Sequence, residues 1–169
     1  MNIVAAGTGR PVPLGDQATF LVKEDGSHTR GNLLVAEMVV QPGFATPLQH
    51  VHHAHEEAWF ILEGELEFTS GTRVQRVGPG GWVLVPIGIA HTFSNPGTTA
   101  TRFIATMTPN LYLNYFYEMG EHMARAARES SGVTEEARAR ITSEVMSRYQ
   151  TEVVDPVAWE RDVLPTLSA

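Results

Sequence analysis

Between residues 20 and 108 the chain is broken every few residues by glycine and proline, and the stretches between the breaks are rich in β-branched and aromatic residues. The breaks are Pro42-Gly43, Glu63-Gly64, Ser70-Gly71, Gly78-Pro79-Gly80-Gly81 and Asn95-Pro96-Gly97. Each places turn-forming residues at the end of a run too short for a globular helix. The intervening runs, 32–40, 58–62, 65–69, 81–85, 91–93 and 101–107, read as strands. Many short strands at this spacing predict an all-β sandwich or barrel of antiparallel strands.

After Asn110 the periodicity becomes helical. Asn110 is placed to cap a helix carrying Leu111, Tyr115, Met119 and Met123 along one face. Ser130-Ser131-Gly132 breaks it, and Thr134-Glu135-Glu136 opens a second helix with Ala137, Ile141, Val145 and Tyr149 on one side. The tail beyond Asp155-Pro156 reads as irregular, docking if at all through Trp159 and Leu164. At 169 residues the chain suits one domain. Its expected parts are a β-barrel over 1–109 with an N-terminal strand and a helical extension over 110–169 packed on it.

A net charge of −7 without any Lys or Arg run argues against nucleic acid or an anionic membrane as partner. The opening MNIVAAGTGRPVP lacks the basic and apolar regions of a signal peptide, and no apolar run spans a bilayer. With no cysteine, disulfides, thiolate ligands and cysteine nucleophiles are excluded, and a cytoplasmic location is expected.

Histidine is the concentrated chemistry. Five of the seven histidines lie between His50 and His91. His50 and His52, two apart, point to the same face of a strand. Glu57 follows after a short bend, and His91 lies just beyond a Pro-x-Gly turn. Three imidazoles and a carboxylate suit one divalent transition metal, Fe, Mn, Ni, Co, Cu or Zn, with positions left for water or substrate. His53 lies on the opposite strand face, and His55 and Glu56 are ambiguous, because a slip of the bend by one residue would replace Glu57 with Glu56. Trp59, Ile61 and Phe93 share strand parity with the ligands and are candidate walls of a substrate cavity, with Met38, Tyr115 and Met119. The Tyr115, Phe116, Met119 and Met123 stripe reads as a helix packing on the sheet or as a lid over the barrel mouth.

Gly43, His50, His52, Glu57 and Gly64 fall on the first sequence motif of the cupins, with one residue more than usual between Gly43 and His50. Gly80, Pro86, Gly88, His91 and Asn95 match the second motif at every position. The chain therefore resembles the cupins, which implies a jelly-roll β-barrel, here with C-terminal α-helices, and a metal held by His50, His52, Glu57 and His91. The stretch HVHHAHEEAWFILEGE and the helical tail look like single-domain quercetin 2,3-dioxygenases. That resemblance implies Glu57 as both ligand and base, dioxygen as co-substrate, cleavage of a flavonol-like or other aromatic enol, and a homodimer. Isomerases, polyketide-type cyclases and purely binding cupins share the four ligands, so these stay as alternatives.

Overall fold

The computed structural model describes residues 1–46, 48–128 and 135–164. Eleven strands form among them. They are β1 (Arg10–Pro13), β2 (Ala18–Glu24), β3 (Leu34–Val40), β4 (His50–His52), β5 (Glu56–Glu63) and β6 (Leu66–Ser70). β7 (Arg73–Val77), β8 (Trp82–Val85), β9 (Thr92–Ser94), β10 (Thr101–Thr108) and β11 (Thr151–Val153) follow. Helices α1 (Leu113–Arg128), α2 (Glu135–Arg148) and α3 (Pro156–Asp162) complete the chain.

All strand pairs are antiparallel. Six strands form one sheet in the order β1-β2-β3-β10-β5-β8, and β7-β6-β9 form a smaller one. Alternation builds the core between them. Leu34, Ala36, Met38 and Val40 of β3 and Phe103, Ala105 and Met107 of β10 turn inward. They meet Leu66 and Phe68 of β6 and Phe93 of β9 in one cluster. Trp59 joins the layers, its ring 5.3 Å from Phe68 and 5.7 Å from Phe93.

The sheets face each other without closing into a barrel. The large sheet keeps open edges at β1 and β8, and β4 pairs with β11 in a ladder of its own. Isolated bridges, Ala45 to Ser94 and His50 to His91, help tie the loops between the layers.

Four elements differ from the sequence expectation. β7 was invisible because its side chains are mostly exposed and show no apolar alternation. β11 is too short to carry a pattern. Asp155-Pro156 opens a helix rather than an irregular tail: Asp155 caps α3 by accepting from Val157 N and Ala158 N. Asn110 does not cap a helix, since its amide donates to Asp25 O at 2.6 Å and a 3-10 turn over Asn110–Tyr112 precedes α1. That turn advances the helical phase, so Leu111 is exposed while Tyr112 and Leu113 are buried. The Ser130-Ser131-Gly132 break and the Thr134 start lie outside the described residues. None of the described helices is long and apolar enough to cross a membrane.

Candidate metal centre

β4 carries His50 and His52 on one side and Val51 on the other, where Val51 packs with Ala90 and Trp159. His91 is placed opposite His50 by two reciprocal backbone hydrogen bonds of 3.0 Å. The turn before it is local in origin. Ile89 N bonds Pro86 O at 3.2 Å, and Gly88 takes a positive φ of 86°, which a side chain would strain. Asn95 fixes the far side of β9, donating to Val40 O and Thr99 O and accepting from Gly97 N. Glu57 enters from the large sheet, in register with Met107 of β10 and Val85 of β8.

The side chains converge. Ring nitrogens of His50, His52 and His91 lie within 4.8 Å of one another, as do donor atoms of His52, His55 and Glu57. Glu57 Oε2 lies 3.3 Å from His91 Nε2, and Glu57 Oε1 lies 3.4 Å from His52 Nε2. All five residues are buried.

Backbone and hydroxyl oxygens determine the tautomers. His50 Nδ1 faces Leu48 O at 3.2 Å, and His91 Nδ1 faces Ile89 O at 3.0 Å. His52 Nδ1 faces Thr151 Oγ1 at 2.8 Å, and that hydroxyl donates to Tyr149 O. A carbonyl can only accept, and the Thr151 proton is already committed, so each Nδ1 carries the hydrogen and each Nε2 a bare lone pair. Burial, with the neighbouring His91 and His52, pushes His50 down to about 3, and burial also lowers His52. Burial works to raise the Glu57 carboxyl, but it is held well below the ordinary carboxylate range, with His55 the ring placed to donate to it. Bare lone pairs beside a buried carboxylate repel each other unless a cation lies among them. His52 Nε2, buried with no hydrogen-bond partner, is the plainest sign of this. The donor set therefore fits a divalent transition metal, and oxygen or nitrogen donors of one ion at ~2.1 Å would themselves be ~3 Å apart when adjacent.

Residues 36–107 match the family described as the cupin domain. The chain has the cupin fold. The quercetin 2,3-dioxygenase of Bacillus subtilis (strain 168) is 25% identical to this chain over 120 residues, 70% of this chain and 34% of that protein. Mannose-1-phosphate guanylyltransferase 2 of Escherichia coli O157:H7 is 32% identical over 70 residues, 41% of this chain and only 14% of the relative. The polyketide cyclase RemF from Streptomyces resistomycificus shares the fold at a TM-score of 0.55 and 24% identity, covering 64% of this chain and 79% of that one. Cupins similar to this chain thus belong to enzymes of several kinds.

Next to the donors the fold encloses a cavity of about 100 Å³. His50, Glu57 and His91 form its polar side, and its walls include Trp59, Phe93, Met38 and Tyr115. Ile61 and Met119, also expected there, are not among the lining residues. Ile61 is fully buried two residues further along β5, in the core behind Trp59. Met119 sits one helical turn beyond Tyr115, past the cavity roof. His53 is exposed and faces Glu152 at 3.3 Å, and Glu56 points to solvent.

Of three further residues that touch the donors, sequence reasoning missed two and held the third, His55, ambiguous. Tyr112 is buried with its ring 4.8 Å from His52 and 4.4 Å from His55. Thr151 holds His52 from ninety-nine residues away. His55, left ambiguous, is buried with Nε2 3.2 Å from Glu57 Oε1. Of these only His55 carried a signal, its place in the histidine cluster.

Proposed function

We propose that this chain is a metal-dependent dioxygenase that cleaves an aromatic enol substrate of the flavonol kind. One observation carries the reading: the Glu57 carboxylate stands with His50 and His91 on the polar side of a cavity with aromatic walls, and His52 converges on the same point beside them. A divalent metal bound by His50, His52, His91 and Glu57 would acidify an enol hydroxyl and bring it together with dioxygen. Glu57, held ionised, is placed to accept the hydroxyl proton, while Trp59 and Phe93 offer flat apolar faces to the ring and exclude water. Both atoms of dioxygen enter the product as carbon monoxide leaves, so no separate reductant is needed. The similarity to the Bacillus subtilis dioxygenase supports the same class.

The cavity of about 100 Å³ is small beside the ~300–1,000 Å³ of sites for drug-sized ligands. A flavonol would fit only with outward movement of lining side chains, among which Tyr115 and Phe116 belong to α1. The tight cavity favours, as the second reading, a non-redox isomerase or cyclase, or a binding protein, acting on a smaller molecule. The reading also includes a homodimer, built on the exposed Trp82, Leu84 and Phe60 beside the open β8 edge.

Metal analysis followed by oxygen uptake with a panel of flavonols and smaller aromatic enols tests the proposal. Glu57→Gln is expected to keep much of the metal and lose turnover by roughly 10²–10⁴. Absence of oxygen uptake by the metal-loaded protein with every candidate would transfer the reading to the non-redox class.

A further inference from the structure

Four imidazoles surround Glu57, and they divide by tautomer. His50, His52 and His91 each have Nδ1 committed to an oxygen acceptor outside the centre. His55 is the reverse. Its Nδ1 is buried without a partner, and its Nε2 lies 3.2 Å from Glu57 Oε1. A carboxylate bound to a metal only accepts, so in the loaded centre the hydrogen of His55 is on Nε2, 3.2 Å from Oε1, and is donated to it. The ring has little freedom to do otherwise. His55 is 1% exposed and lies between His52, at 4.1 Å between centroids, and Tyr112, at 4.4 Å.

The two carboxylate oxygens are thereby made unequal. Oε2 faces His91 Nε2 at 3.3 Å, on the side where the lone pairs converge. Oε1 carries the His55 hydrogen, although it too is within 3.4 Å of His52 Nε2. We infer that His55 is a positioning residue that ties down Oε1, so that Glu57 offers a metal one oxygen and a coordination position stays open for substrate. Without that N–H, Oε1 is close enough to swing onto the same ion and close the position. The inference rests on the metal-site reading above and is independent of which reaction the centre performs.

The test uses the full chain loaded with Co(II), whose visible bands weaken as its coordination number rises. His55→Gln can present an amide N–H to the same oxygen, whereas His55→Leu cannot. His55→Phe keeps a ring stacked on Tyr112 without a donor and serves if the Leu variant fails to fold. Wild type and His55→Gln are expected to share one spectrum, and the Leu or Phe variant to show weaker bands. Co(II) affinity should stay within roughly tenfold across all of them, the lower end of what an outer partner of a ligand contributes. A Leu or Phe spectrum identical to wild type would overturn the inference. So would a loss of Co(II) affinity beyond ~100-fold in the Gln and Leu variants alike, which would make His55 a ligand. Wild type that binds no Co(II) would defeat the metal-site reading itself, and the positioning role with it.

Discussion

Replacing Thr151 with Val removes one hydroxyl at nearly constant volume and isolates what that hydroxyl does for His52. Thr151 Oγ1 lies 2.8 Å from His52 Nδ1, and both residues are buried. A buried N–H left without an acceptor costs about 1–3 kcal/mol. The imidazole has an escape, because moving its hydrogen to Nε2 gives it Glu57 Oε1 as an acceptor at 3.4 Å. The metal-free variant should therefore lose only about 1 kcal/mol, or ~2–4 °C in Tm for a domain of this size. The escape consumes the lone pair that a metal needs. Binding must return the hydrogen to Nδ1 and restore the unpaired donor, so affinity should fall by about 10–100-fold, equivalent to ~1.4–2.7 kcal/mol. Thr151→Ser keeps the hydroxyl and should bind like wild type. Metal competition with a chromophoric chelator and thermal melts with and without metal measure both quantities. A Val variant that holds metal as tightly as wild type would refute the tautomer argument.

Other perturbations separate the site from its surroundings. His52→Ala should abolish most metal binding and the thermal stabilisation that metal gives, whereas His53→Ala, on the exposed face, should change both little; equal losses on metal titration would reverse the strand assignment. Acid should destabilise the metal-free protein. Between the ordinary histidine value of 6.5 and about 3 the unfolded chain binds a proton at His50 that the folded chain does not, so stability falls as pH drops through that window. Glu57, held well below 4.5, adds a loss of the same sign at the acid end, and a Tm that is flat or rising from pH 7 to 4 would contradict both. Light scattering is expected to show a dimer for wild type and a monomer for Trp82→Glu, since a charge on that exposed apolar stripe opposes its burial; a wild-type monomer at high micromolar concentration would remove the dimer from the reading.

Local chemistry determined much of this protein before any packing was known. The Gly and Pro breaks set the strand ends, and alternation within β3, β5 and β10 chose their inward faces. Both effects act over a few residues, through backbone sterics and the two-residue pleat. The same short-range logic put His50 and His52 on one face and set His91 beyond the Pro86 turn, which Gly88 makes possible. Other features are decided only by contacts between distant segments. β7 and β11 exist because β6 and β4 offer them open edges, not because of any pattern of their own. The phase of α1 is set by the turn at Asn110–Tyr112, whose Asn110 is held by Asp25. Ile61 shares parity with Trp59 yet lies in the core, because parity gives the face of a strand and not the depth along it. The tautomers of the centre depend on such contacts most. His52 takes its acceptor from Thr151, brought beside it by strand pairing, and His55, two residues before Glu57, is held in place by Tyr112 from across the fold. Hydrogen-bond direction at a buried imidazole depends on which oxygen lies within 3 Å or so of each nitrogen, and only the folded chain places those oxygens.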